Sequence, residues 1–592
     1  MIKERLKDLV ERAFEQARFD KKMGELTECP EPVVIEQPKL PEHGDFACGI
    51  ALKLARHARS SPIQIANILA EYINQTPETM NGSITKVEVA NPGFINFRLG
   101  TTWLTDVIKE IHIRKEDFGR DTVGGDKKVL IEYVSANPTG NLHIGHGRGA
   151  VLGSCLSNLF AFAGYKVEQE FYVNDAGAQI ASLGNCAFAC YQRKLGKDVE
   201  YPSDGYPEES LIEYVDQVIE QYGSQFLSLT GDEAAVTVGN ATKKIIQEHQ
   251  EKLLERLGIK FDRWFSESSL HAQNKVDEAM QILTDNNFTY EADGALWLKA
   301  KELGDERDRV LKKSTGDYTY LANDAAYHLD KFNRGYDLMI NIWGADHHGQ
   351  VPGLKAVVKA LGFDSEKLQV LLTQIVNLNR DGKAVRMSKR RGTVVMLDEV
   401  MDEVGVDAVR YFLAESNPNN PINFDLELAK KQKRENPSFY IQYAHARCSS
   451  ILRKAVEPSI DRESGEERPA PLTAEMFEQF KQEYGSSDSD PNLFLAVFDE
   501  DPDKFIHQKN LIMRLQALPE EVRDAAVNWQ PGRLSHYAYE LANTLQKFYE
   551  ESQVIIPDNL PVMKARLGLV MATRQVLANA LKIIGVSAPD RM

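Results

Sequence analysis

Apolar positions recur at helical spacing from the start of the chain. Leu6, Leu9, Val10 and Phe14 form one stripe and predict an amphipathic first helix in MIKERLKDLVERAFEQ. ALKLARHARSSPIQIANILAEYI carries two further helical stretches, and KVEVANPGFINFRL alternates in strand fashion around a Pro-Gly break. The charged, Gly-rich DTVGGDKK reads as a linker, and VLIEYV beyond it is a short apolar run, the pattern of a strand buried on both faces. A Gly-rich turn, the helical run GAVLGSCLSNLFAFAG and a second strand, VEQEFYV, follow. Strand, glycine turn, helix, strand is one half of a doubly wound nucleotide-binding fold. From about residue 175 to 317 the pattern becomes mainly helical, with a hairpin at TYEADGALWLKA, and reads as an insertion. Strands resume at DLMINIW and VLLTQIVNL, giving the second half of the sheet, and a turn rich in Arg and Lys follows. From about residue 436 the chain is helical except for an acidic, Ser- and Pro-rich stretch (EPSIDRESGEERPAP and YGSSDSDPN), read as a loop insertion at about 457–505.

Composition narrows the function classes. A chain of 592 residues is too long for one core, and 43% hydrophobic with 27% charged residues is an ordinary globular balance. The net charge of −17 excludes general electrostatic adhesion to nucleic acid but leaves room for local basic faces. Such faces are available at Lys312 and Lys313, at Arg386 to Arg391, and at Lys430 to Arg434. Six scattered cysteines without a CxxC pair point to a reduced compartment. No apolar stretch is expected to reach the roughly 20 residues that span a bilayer. The N-terminus lacks a signal peptide's apolar run. A cytoplasmic protein with no membrane partner is expected.

The richest chemistry lies in EYVSANPTGNLHIGHGRG, which sets His143 and His146 in a Gly-rich turn between a strand and a helix. A zinc site would need further ligands at matched spacing, and none stands nearby. Gly145, Gly147 and Gly149 let the backbone approach a ligand, and the helix that starts there offers free N–H groups to phosphate. Two imidazoles beside such an anion site fit phosphate donors better than metal ligands. More than two hundred residues later, DGKAVRMSKRRGT places several cations between Gly382 and Gly392 after a strand. That is what a departing pyrophosphate needs. GADHHG (344–349) follows another strand; reading Asp346, His347 and His348 as metal ligands lacks partner residues, and no protein-bound metal is expected.

HIGH at residues 143–146 resembles the motif of the class I aminoacyl-tRNA synthetases. Arg386, Met387, Ser388 and Lys389 resemble the KMSK part of that class's second motif, with Arg386 for the first Lys and Arg390 where the last Ser would stand. EYVSANPTGNLHIGH is similar to the arginyl-tRNA synthetases, and the resemblance runs through the chain. KLPEHGDFACGIALKLA and NPGFINFRL resemble that family's N-terminal domain. GVDAVRYFLAESNPNNPINFDLELA resembles its stem-contact region, and FYIQYAHARCSSILRKA with IIGVSAPDRM its anticodon-binding domain.

The resemblance implies an α/β class I Rossmann-like parallel-sheet catalytic domain at 116–395, carrying the insertion at about 175–317. An α+β tRNA-contacting domain at 1–115, a stem-contact region at 396–435 and an all-α anticodon-binding domain at 436–592 complete it. It implies an arginine–tRNA ligase that uses ATP with Mg²⁺ to form arginyl-adenylate and then charges tRNA(Arg). Rivals are a class I synthetase of other specificity and a non-catalytic RNA-binding paralogue. Catalysis would fall to His143, His146 and Lys389. Substrate arginine would meet Glu132, Asn137, His143, Tyr320, Asp324 and Asp346, since a guanidinium seeks carboxylates and amide oxygens. By spacing alone, Tyr320 and Asp324 lie four apart on one helix face, and Asp324 could equally cap or pair on a surface helix. ATP would meet His143, Gly145, His146, Gly147, Gly344, Asp346, Met387, Ser388 and Lys389. Transfer RNA would meet Asn91, Phe94, Asn96, Tyr440, Tyr443 and Met592. A monomer without an editing function is expected; the family resemblance carries the latter.

Overall fold

The computed structural model describes residues 2–24, 26–385, 395–460, 467–486, 490 and 492–592. Met387, Ser388 and Lys389, with their neighbours Arg386, Arg390 and Gly392, lie outside the described residues.

The first helix, Ile2–Phe19, buries the predicted stripe of Leu6, Leu9, Val10 and Phe14. It packs on the helix Pro62–Ile73, which in turn lies on a four-stranded antiparallel sheet ordered Ile35–Glu36, Phe46–Cys48, Phe94–Leu99, Ile84–Ala90. The helix Pro62–Ile73 starts at Ser61, whose side chain accepts from the Gln64 N–H while Gln64 reaches back, a reciprocal cap.

The central sheet is parallel. Its strands are β1 (Lys128–Glu132), β2 (Lys166–Val173), β3 (Arg263–Ser266), β4 (Leu338–Gly344) and β5 (Leu368–Thr373), in the order β5-β4-β1-β2-β3. Strand order reverses between β1 and β4, which opens a crevice at their carboxyl ends. Helix α1 (Ile144–Phe162) is apolar all round because it is covered all round, by the sheet and by helices of the C-terminal domain. Gly153 lets it press on β1's neighbour: a Cβ there would meet the Tyr133 ring at 2.3 Å.

Three differences from the expected organisation have physical reasons. The stretch read as one insertion is interrupted by β3, which forms the edge of the main sheet; RWFS is too short to declare itself among helices. The stretch read as a loop contains the helix Ala474–Tyr484, which buries Phe477, Phe480 and Tyr484; the Ser-, Pro- and acid-rich residues on either side hide its pattern. Finally, helix α3 (Leu560–Ile584) is long and apolar enough to cross a membrane. Its most apolar window is 72% buried, so it is the core helix of the C-terminal domain, with Lys564, Arg566, Arg574 and Lys582 scattered along it.

Candidate active site

One wall of the crevice is built by the turn after β1. Val134 and Ser135 have φ of 68° and 40°, a region costly for a β-branched residue. Ser135 is held there: its hydroxyl donates to Glu132 Oε1 at 2.8 Å and accepts from the Tyr172 N–H at 3.2 Å. The turn is also clasped from outside by the helices Ala178–Lys194, Glu208–Tyr222 and Gly231–Arg256. Gln250 donates to the carbonyls of Asn137 at 3.1 Å and Gly140 at 2.8 Å. Gln179 accepts from the Asn137 amide at 2.7 Å, and Tyr214 bonds to Asn141.

His143 then caps α1. Its Nδ1 accepts from the N–H groups of Gly145 at 3.1 Å and His146 at 3.3 Å, and His146 Nδ1 accepts from the His143 N–H at 3.2 Å. The rings stack with centroids 3.7 Å apart. A backbone N–H can only donate, so both Nδ1 atoms are acceptors and the proton of each neutral ring sits on Nε2. Burial lowers the pKa of His143. Burial, then the neighbouring His143, pushes His146 down to about 3. Two uncharged imidazoles with Nε2–H donors result. Gly147 serves packing rather than ligand approach, because a Cβ there would meet Leu397 Cδ1 at 2.7 Å.

The residues just beyond the basic segment are stitched to the same turn. Ile144 N–H donates to Val395 O at 3.2 Å, Leu397 N–H to Leu142 O at 2.9 Å, and His143 bridges Met396. On the opposite side, Gly344 ends β4 and Asp346 and His347 stand exposed in the short 3₁₀ turn Ala345–Gln350. Asp346 Oδ2 lies 3.6 Å from His347 Nε2.

The second wall is acidic. Helix α2 (Tyr320–Asn333) carries Tyr320, 69% exposed, and Asp324 one turn on. The Asp324 carboxylate has no hydrogen-bond or ion-pair partner among the described residues. Burial, then the charges of Glu132 and Glu267, raises its pKa to about 7, against a smaller pull from Lys331. Glu132 is 5% exposed and pairs with Lys331 at 2.5 Å. Glu267, which follows β3 and is 3% exposed, accepts from the Asn323 amide at 2.5 Å; burial raises its pKa too. Sequence reasoning missed Glu267, since nothing in SESSL marks it and only the fold brings it to Asp324. Three carboxylates converging on a space with one of them unpartnered is a cation site.

The proposed RNA-facing residues lie elsewhere. Asn91 is exposed, Phe94 half-buried, and Asn96 buried on its strand. Tyr440 is corrected: its ring is buried, packed on Tyr539 at 5.6 Å with the Arg434 guanidinium 5.3 Å above it, and presents no open face. Tyr443 is 40% exposed and carries Arg447 over its ring; Met592 is exposed.

Comparison with known proteins agrees along the whole chain. Residues 107–433 match the catalytic domain of class I tRNA synthetases (R), residues 2–99 the arginyl tRNA synthetase N-terminal domain, and residues 441–592 the DALR anticodon-binding domain. The chain is 41% identical over 591 residues to an arginine–tRNA ligase of Shouchella clausii and to one of Geobacillus kaustophilus, covering 100% of this chain and 99% of each relative. The fold is also that of Thermus thermophilus arginyl-tRNA synthetase, with a TM-score of 0.69 and 22% identity over 100% of both chains.

Proposed function

The chain belongs to the arginyl-tRNA synthetase family, and from that premise we propose that its sheet crevice holds the two small substrates on opposite walls. The enzyme is an aminoacyl-tRNA ligase. It activates L-arginine with ATP, releasing pyrophosphate, and passes the arginyl group from the adenylate to the 3′ end of tRNA(Arg).

Arginine's carboxylate is already ionised at neutral pH, so it attacks the α-phosphate without a protein nucleophile. Rate then depends on positioning and on donors aimed at developing charge. His143 and His146 supply two Nε2–H donors to the phosphate side without bringing positive charge of their own. The start of α1 lies beside them, with Gly145 and Gly147 in its first turn. Gly344 and Asp346 face the nucleoside side. Met387, Ser388 and Lys389 hold the leaving pyrophosphate in this reading; the anchoring of Val395–Leu397 against the His143 turn supports it. Mg²⁺ arrives as part of the MgATP substrate.

The guanidinium enters between Asp324, Glu267 and Tyr320, with Glu132 and Asn137 at the pocket's base. The observation that carries the proposal is the Asp324 carboxylate, half-buried beside like charges with no donor among the described residues. Such a group is costly until a cation arrives, and a planar fork matches two carboxylates better than a point charge does. Lysine would leave acceptors half-paired, so selectivity needs no editing step. For transfer RNA we propose contacts at Asn91, Phe94, Asn96, Tyr443 and Met592. A cytoplasmic monomer fits a chain with six scattered thiols and all three matched domains in one polypeptide. Exchange of labelled pyrophosphate into ATP, run with each amino acid and with or without tRNA(Arg), tests the assignment. Exchange is expected with arginine and with no other amino acid, and exchange driven by lysine or glutamate would overturn it.

A further inference from the structure

One charged group of the pocket has no role in that account. Lys331 has 0% exposure, yet its ammonium stands behind a pocket for a cation. Nζ donates to Glu132 Oε2 at 2.5 Å and to Asn341 Oδ1 at 2.9 Å, and lies 4.2 Å from the Tyr327 ring centroid. Asn341 is fixed in turn. His328 Nδ1 lies 2.8 Å from the Asp324 carbonyl, which can only accept, so Nδ1 carries the proton. His328 Nε2 is therefore the acceptor for the Asn341 amide at 3.0 Å, and Asn341 must turn its oxygen to Lys331. Every member of this chain has one consistent donor or acceptor role.

The consequence falls on Glu132. Its Oε2 is taken by Lys331 and its Oε1 by Ser135, while the Asp324 carboxylate has no donor among the described residues. We propose that Lys331 is a positioning and specificity-determining residue for arginine: it occupies Glu132 and so leaves Asp324 and Glu267 as the acidic pair that takes the guanidinium. The inference rests on the arginine reading and refines it. Without an internal cation, three carboxylates would compete for one guanidinium, and the substrate could settle against any two. Lys331 also fills the place a compact ammonium would prefer, so only the planar fork geometry stays open. A buried charge that loses its partner is strongly penalised, whereas removing both partners together is often nearly neutral. That asymmetry makes the proposal testable by a cycle of variants.

The experiment is steady-state aminoacylation of tRNA(Arg) by the full chain, with KM and kcat for arginine measured for Lys331→Met, Glu132→Gln and the double variant. Each single variant is expected to raise the arginine KM about tenfold or more, because it strands one charge beside the guanidinium site. The double variant, with both charges gone and similar shape, is expected to have a lower arginine KM than either single variant, because neither charge is then stranded. A double variant as impaired as Glu132→Gln would make Glu132 itself a guanidinium ligand and overturn the proposal. Unchanged KM in all three, with only lowered melting temperatures, would reduce Lys331 to a structural residue and also overturn it. Should Lys331→Met fail to fold, Glu132→Gln against the double variant still decides. A wild-type chain that charges another amino acid would defeat the arginine reading itself, and that is seen before any variant is made.

Discussion

The two walls of the crevice handle polarity in opposite ways. On the His143 side the two imidazoles are locked as uncharged donors by N–H groups of their own turn. On the α2 side the Asp324 carboxylate is held without a donor among the described residues, and Glu132 and Glu267 repel it. The first wall is preorganised for charge that develops during reaction; the second stores an unfavourable charge that the ground-state substrate relieves. Binding and rate are therefore separable, and substitutions on the two walls should fall on different kinetic constants.

The strongest break of that contrast is Asp324→Asn. Losing a desolvated charge-assisted pair costs about 2–5 kcal/mol, so kcat/KM for arginine is expected to fall by about 30-fold to several thousand-fold, mostly through KM in aminoacylation assays. His146→Ala should cost about 10²-fold in single-turnover adenylate formation while the arginine KM moves little. Equal losses in both constants would merge the two walls into one. Protons offer a third handle. Because Asp324 titrates near 7 and binds arginine as the anion, the arginine KM should rise by up to about tenfold per unit as pH falls below 7. Stability runs the other way: a carboxyl raised in the fold binds its proton more readily there than in the unfolded chain. Its burden is absent below the unfolded value near 4 and grows as pH rises toward 7. Arginine should accordingly raise the melting temperature more at pH 8 than at pH 6. The smallest effect is remote from both walls: Tyr443→Leu should raise the tRNA KM about fivefold, at the low end for a lost base stack, with pyrophosphate exchange unaltered.

The two walls also differ in how far the chain announces them. The phosphate wall is local: His143, His146 and the capping N–H groups lie within four residues, so a short motif carries nearly the whole geometry. The acidic wall is assembled from β1, from the residue after β3 and from α2, positions separated by more than fifty residues at each step. Asp324 and Tyr320 could be picked out by helical spacing and resemblance, but Glu267 and Lys331 required the register of the sheet. The same reasoning explains Tyr440. Tyr440 and Tyr443 are neighbours on one helix, yet packing against Tyr539 buries the first and leaves the second partly open. Local pattern gave the sheet's core strands and the first helices. It missed β3 at the edge, and it read Ala474–Tyr484 as loop because Ser-, Pro- and acid-rich residues on both sides mask the three aromatics that fold it.

The helices between Ala178 and Arg256 look at first like a removable decoration on the sheet. Excising them would remove the Gln250 amide that ties the carbonyls of Asn137 and Gly140 together, and would free the side chains of Asn137 and Asn141. A truncated enzyme would thus lose its grip on the loop that delivers the imidazoles, although no atom of the excised part touches the triphosphate in this reading. How small a working version of this scaffold can be made is set by what replaces Gln250, Gln179 and Tyr214.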